Sequence, residues 1–283
     1  YVMKNRILTA AEIKSFQIYL CREEKSENTV SKYMRDSKCF MLFANGENIS
    51  KEKVISYKEY LLKKSYSIRS VNSMLASVNS LFSFLGWEDC KVKTVRFQRQ
   101  IFCDEKKELT KSEYIRLCRI SERRHNERLN LLLQTICVTG IRISELRYIT
   151  VETVKYGEAT VSLKGKTRTV FIVKELRKKL LSYANSHNIN SGCIFVTRTG
   201  KPMNRSNIWR EMKSLCAEAG VDSAKVFPHN LRHLFARIFY GIEKDIVKLA
   251  DILGHSSINT TRIYIISSGS EHRRCMESMK LVI

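Results

Sequence analysis

The chain has 283 residues and is 43% hydrophobic, long enough for two packed domains. It carries 50 Lys and Arg against 28 Asp and Glu, a net charge of +22. Residues 1–98 hold 17 basic and 10 acidic groups, and residues 99–283 hold 33 and 18. An excess of this size repels itself unless a polyanion relieves it, so nucleic acid leads as partner; on charge alone, a membrane-surface binder is the alternative. A positive balance in both halves favours a ligand held between two basic surfaces over a single basic tail. The nine cysteines are scattered and contain no Cys-x-x-Cys, which argues against a disulfide framework and a structural zinc site. A reducing cytoplasm is the expected setting. No signal-peptide core opens the chain, and the longest apolar run, Leu129–Ile143, is broken by Gln134, Gly140 and Arg142. No membrane partner is expected.

With only two prolines and eleven glycines, the chain reads as mainly helical. Residues 9–85 form a run of helices. Thr9 and Glu12 make a capping box ahead of the first. Thr29, Tyr33, Phe40 and Phe43 recur at helical spacing in the second. Ser50 caps a third, and a fourth spans Ser67–Leu85. This predicts a four-helix domain over 1–86. Residues 87–108 lack periodicity and read as a linker, in which Lys91, Lys93, Arg96 and Arg99 are candidate DNA contacts beside Phe97 and Phe102. A solvated connector is the plain alternative. The second domain spans 109–283. It opens with a capped helix at Thr110–Ile120, followed by an apolar helix over 127–138. Gly140 breaks that helix, and a new one starts at Arg142–Tyr148. Alternation in Ala159–Leu163 and Arg168–Val173, around Lys-Gly-Lys-Thr, predicts a β-hairpin. Helices follow near 174–186, 205–219, 229–240 and 243–253, with a tail from about 269. The fold class is mainly α with a small β-hairpin or sheet in the second domain, α+β.

The segment Phe227-Pro-His-Asn-Leu-Arg-His233 carries the most chemistry. Pro228 suits the first turn of a helix, and His229 and Arg232 then share one face. Free N–H groups at that helix start favour an anion such as a phosphate. Arg142 follows the Gly140 break, where a guanidinium can fork onto two phosphate oxygens, with Glu145 placed to orient it. An ordinary exposed Arg–Glu pair is the plain alternative. Lys164 should face away from the core at the hairpin tip, able to protonate a leaving oxygen. Lys166 and Arg168 are its rivals and candidate DNA contacts. His229 and His233 have zinc-helix spacing, but Asn230 stands where a catalytic glutamate would be and Arg232 would set a cation beside the metal; no metal is expected. His233 reads instead as a buried buttress. His255 follows Gly254, a C-cap. Tyr264, alone, is a packing residue.

Taken together, Arg142, Lys164, His229-x-x-Arg232, His255 and Tyr264 resemble in order and spacing the tyrosine recombinase (phage integrase) family, of the Xer-like or mobile-element kind. Thr139-Gly-Ile-Arg-Ile-Ser-Glu-Leu146, His229-Asn-Leu-Arg-His233 and Leu253-Gly-His-Ser-Ser257 look like its sequence boxes, and residues 29–43 resemble its core-binding domain. The resemblance implies a two-domain, C-shaped clamp on double-stranded DNA and a site-specific recombinase. Tyr264 would form a 3′-phosphotyrosyl link, with Arg142 and Arg232 neutralising the phosphate and His255 donating to it. Lys164 would be general acid, and His229 would assist proton transfer at the tyrosine. It also implies Holliday-junction exchange for integration, excision or resolution, in a homo-oligomer (a dimer on one site, a tetramer in synapsis) coupled through the tail. No cofactor is implied. A type IB topoisomerase-like nicking-closing enzyme and a non-catalytic DNA-binding regulator are the alternatives.

Overall fold

A computed structural model describes residues 6–96, 105–163, 166–264 and 276–279. The chain divides into two compact units, Tyr1–Arg99 and Gln100–Ile283.

The first unit is built from α1 (Ala10–Arg22), α2 (Glu27–Ala44), α3 (Lys51–Lys63) and α4 (Ile68–Leu85). Each helix begins at a hydroxyl N-cap (Thr9, Ser26, Ser50 and Ser67), whose side chain accepts an otherwise orphaned backbone N–H. The buried stripe of α2 runs through Val30, Met34, Ser37, Phe40 and Ala44, while Tyr33 and Phe43 sit at its edge. Phe40 meets Tyr57 and Phe82 edge-on, with centroids 5.1 and 5.5 Å away.

The expected linker does not start at residue 87. Trp87, Cys90, Val92 and Val95 pack on the first unit's core. Two side-chain amides of α4 clip this strand-like segment down. Asn79 Nδ2 donates to the Val92 carbonyl at 2.9 Å and Asn72 Nδ2 to the Val95 carbonyl at 2.9 Å. Tertiary hydrogen bonds, not a repeat of apolar residues, order it, so periodicity gave no sign of it.

The second unit comprises α5 (Lys111–Arg123), α6 (Glu127–Thr139), a 3₁₀ turn at Ile143–Tyr148, α7 (Val151–Tyr156), β1 (Glu158–Leu163), β2 (Lys166–Phe171), α8 (Lys174–Ser186), α9 (Arg205–Ser214), α10 (Cys216–Ala219), α11 (Pro228–Glu243), α12 (Ile246–Leu253) and α13 (Ile258–Arg262). The helix expected over 205–219 is two helices meeting at Leu215. The α6 helix is apolar on most sides, burying Leu129, Leu131, Leu132, Leu133 and Ile136, and is central: α5, α8 and α11 pack around it. The strands β1 and β2 pair antiparallel, with Val161 opposite Arg168 and Ala159 opposite Val170. Opposed residues share a face, so Arg168 joins Val161, Ala159 and Val170 on the buried side. No helix of the described residues is long and apolar enough to cross a membrane.

The α5 start fixes the approach to α11. Thr110 and Glu113 form a reciprocal capping box, and the second Glu113 oxygen takes Lys225 Nζ at 2.9 Å. Thr110→Ala should cost about 1 kcal/mol, read as a lower urea midpoint for the second unit with an unchanged first transition.

Candidate active site

Pro228 occupies the first turn of α11, after extended Phe227. From there, three and four residue steps bring His229, Arg232 and His233 to neighbouring positions. Arg232 is 2% exposed. Its guanidinium is held by the carbonyls that end two other helices: Nη1 donates to Gly140 O, and Nη2 to Leu253 O at 2.7 Å. Helix C-termini carry partial negative charge, which suits a cation. Both helices end at a left-handed glycine, Gly140 at φ +62° and Gly254 at φ +63°. A Cβ at Gly140 would stand 2.5 Å from Phe235, and one at Gly254 would stand 2.2 Å from Arg168. These positions therefore need glycine for space as well as for φ.

Arg142 lies just beyond the α6 cap. Its Nη1 donates to Glu145 Oε1 and its backbone N–H to Glu145 Oε2, both at 2.9 Å, and its side chain keeps 33% exposure. The plain reading, a solvated Arg–Glu pair, fails here because Glu145 is 1% exposed and also takes Arg168 Nη2 at 2.7 Å. Burial works to raise the Glu145 carboxyl, but the Arg142 N–H and the two guanidiniums outweigh it and hold the carboxyl below its ordinary range.

Arg168, a candidate DNA contact and a rival to Lys164, is largely buried, with 9% of its side chain exposed. It donates to Glu145 and, through Nη1, to the Ile252 carbonyl at 2.7 Å. The alternation Arg168-x-Val170-x-Ile172 is the signal that places it inward. Lys166 begins β2. Lys164, Arg99 and tail residues 269–275 and 280–283 lie outside the described residues. Of the other candidate DNA contacts, Lys93 and Arg96 are exposed, and Lys91 pairs with Glu88.

His255 follows the α12 cap. Its Nε2 lies 3.1 Å from Arg232 Nη2 and its Nδ1 lies 2.8 Å from Thr261 Oγ1. Arginine only donates, so Nε2 accepts and Nδ1 carries the proton that Thr261 receives. Thr261, fully buried on α13, is a partner that sequence reading passed over. Tyr264, just beyond α13, is 6% exposed. Its ring sits among three imidazoles, with centroids 4.3 Å from His233, 5.3 Å from His255 and 5.6 Å from His229, and it is near enough to Arg232 to favour the charged guanidinium. One chain thus brings Arg142, His229, Arg232, His255 and Tyr264 together. The His233 ring packs against that of Tyr264.

The site is electropositive: Arg142 and Arg168 share the Glu145 carboxylate, and Arg232 is held by carbonyls alone. Burial, then Arg232 and Arg142, push the His255 imidazole down to about 4. Burial and the same cations lower His229, although this residue stays partly open to solvent. Burial drives His233 to about 3 and Arg232 to about 10. Among the described residues no cluster of His, Cys, Asp and Glu could hold a metal ion. What the arrangement can hold is an oxyanion, with a phenol hydroxyl beside it.

The second unit of this helical chain sets a tyrosine among arginines and histidines, an arrangement suited to phosphoryl transfer. Residues 107–271 match the phage integrase family, and residues 13–89 match the phage integrase N-terminal SAM-like domain. The chain belongs to the phage integrase family. Tyrosine recombinase XerA of Pyrococcus horikoshii is 28% identical over 99% of this chain and 98% of its own. A crystal structure of XerA recombinase aligns at TM-score 0.54 and 25% identity, covering 98% of this chain and 100% of that one. A lambda integrase tetramer bound to a Holliday junction has the same fold, at TM-score 0.74 and 15% identity, covering 93% of this chain and 79% of that one.

Neutral buried imidazoles make stability depend on pH. The folded values of His255 and His233, about 4 and about 3, lie below the ordinary value of about 6.5. Between these limits the unfolded chain binds protons that the folded chain refuses. This stability is complete above about pH 6.5 and is lost as pH falls towards 4 and then 3. Urea unfolding from pH 7 to 4 should show the loss, and His255→Asn should remove about one proton from its slope.

Proposed function

We propose that Tyr264 attacks a DNA phosphodiester held by Arg142 and Arg232, so that the chain breaks and rejoins strands through a 3′-phosphotyrosyl intermediate. The chain is a tyrosine site-specific recombinase, an enzyme of DNA recombination, and double-stranded DNA is its partner. The observation that carries the mechanism is the packing of Tyr264 within reach of Arg232 and beside His229 and His255, all in one chain. Arg142, the more open guanidinium, takes the non-bridging oxygens, and Arg232 adds charge from beneath. Arrival of the anion raises the depressed His255 value. Once protonated, the ring can donate from Nε2 to the phosphate. His229 assists the tyrosine proton, and Lys164 protonates the leaving 5′-oxygen. Glu145 and Arg168 orient Arg142 and the hairpin. Attack and rejoining exchange one phosphodiester for another, so bond energy is conserved.

DNA contact extends over Lys93 and Arg96 in the first unit and over the exposed face of α9 in the second. There Arg205, Ser206, Trp209 and Arg210 line a cavity of about 480 Å³, with Trp209 half exposed and Lys213 over its ring. We place the reaction in the cytoplasm, where the seven described free thiols stay reduced.

A nicked suicide duplex carrying the recognised site tests the chemistry. Wild type should form a covalent adduct on a denaturing gel, and Tyr264→Phe none. Arg142→Ala should slow the adduct by roughly 10²–10³-fold. DNA bound specifically by wild type without an adduct would remove Tyr264 as nucleophile.

Assembly is the second element of the reading. Met276 and Met279 in the tail are 70% and 57% exposed, an apolar pair suited to a neighbouring protomer. A chain ending at Ser270 should bind one site normally yet lose synaptic complexes in native gels; undiminished complexes would refute tail docking.

A further inference from the structure

Helix α11 carries a second polar row. Asn230, His233 and Arg237 are spaced by three and four residues and share one stripe. All three engage the short stretch 107–109. Asn230 Nδ2 donates to the Lys107 carbonyl at 3.0 Å, and Arg237 Nη2 to the Leu109 carbonyl at 3.0 Å. Between them lies Glu108, with 16% of its side chain exposed. Its Oε1 is 3.7 Å from His233 Nδ1 and its Oε2 is 3.7 Å from Arg237 Nη1. Neither contact is short enough for a hydrogen bond. Glu108 Oε2 and His233 Nδ1 are both buried without a hydrogen-bond partner. Native interiors rarely leave such atoms unmatched, and function is one of the reasons they do. A closure of about 0.8 Å would convert the 3.7 Å contact to His233 into a bond. The His233 ring also packs on Tyr264 at 4.3 Å and edge-on against His229 at 4.8 Å.

We infer that Glu108 is a positioning residue for Tyr264, acting through His233. A neutral imidazole has one N–H and one bare nitrogen, and a carboxylate beside Nδ1 selects Nδ1–H and leaves Nε2 as the acceptor. Glu108 thereby fixes both the tautomer and the plane of the ring against which Tyr264 rests before attack. Burial keeps His233 neutral, so the choice is between tautomers and not between charges. Burial raises the Glu108 carboxyl above its ordinary value, and Arg237 opposes that pull in part. The inference rests on the reading of Tyr264 as nucleophile.

Three variants of the full chain test it: Glu108→Leu, Glu108→Gln and His233→Ala. On the suicide duplex, Glu108→Leu should form adduct about 10-fold more slowly, with DNA affinity and melting temperature unchanged. Glu108→Gln keeps an oxygen that accepts from Nδ1–H and should recover most of the rate. Adding Glu108→Leu to His233→Ala should slow the reaction no further. Independently of activity, ¹⁵N spectra of the DNA-free protein should show His233 as the Nδ1–H tautomer, becoming mixed in Glu108→Leu. An unchanged rate in Glu108→Leu, a multiplicative double variant, a Gln variant as slow as Leu, or a tautomer indifferent to residue 108 would each overturn the inference. Absence of adduct from wild type on its own site removes the nucleophile reading instead, and the spectra still decide whether Glu108 and His233 are coupled.

Discussion

The Glu145 carboxylate, buried between Arg142 and Arg168, is the contact on which the rest of the site depends. A buried carboxylate is costly alone and tolerable only when paired and hydrogen-bonded, and here both oxygens are occupied. The pairing has a geometric result. Arg142 comes from the turn after α6 and Arg168 from β2. Arg168 continues to Ile252 O and Arg142 to Gly254 O, at the end of α12. One carboxylate therefore locks the turn, the hairpin and the His255 loop to each other. Loss of one partner from a buried pair commonly costs roughly 3–5 kcal/mol, a scale large enough to set the relative placement of these elements.

Charge explains what that scaffold is for. Arg142 and Arg168 share the Glu145 carboxylate while Arg232 pairs with none, so the site is positive before any ligand arrives. Two helix C-termini stabilise Arg232 with carbonyl dipoles in place of a counter-ion. Dipoles steady the guanidinium without cancelling its charge, and an anion meets a field that needs no rearrangement. Burial first, and the same field second, lower the His229 and His255 imidazoles. A phosphate would offset the contribution of the guanidiniums.

Much of this was legible from residue order. The N-caps, the Gly140 break, the Pro228 start and the His229–Arg232 step are local features, and local physics places them. The family resemblance joined them to His255 and Tyr264 across the chain. What escaped depends on register or on distant partners. Lys-Gly-Lys-Thr makes Arg168 look like part of a basic turn that could meet DNA, although its alternation with Val170 and Ile172 points inward. Residues 87–95 carry no period because Asn72 and Asn79 hold their backbone. Thr261 and Glu108 acquire meaning only through partners that sequence spacing does not mark, six residues away in one case and 125 in the other.

Helix α11 draws these threads together by using its faces differently. Arg232 turns into the core to meet two helix ends, and His229 stays partly open. Asn230, His233 and Arg237 hold the backbone and carboxylate of 107–109. Tyr264 rests where these faces meet, in contact with rings from both His229 and His233. The Tyr264 ring is packed against the rings of His229, His233 and His255. On the proposed reading, reaching a phosphate costs it that packing and its interaction with Arg232. The helix holding its neighbours is anchored by Arg232 on one side and by the 107–109 stretch on the other, so that a movement of the tyrosine need not disturb the arginines proposed to receive the phosphate.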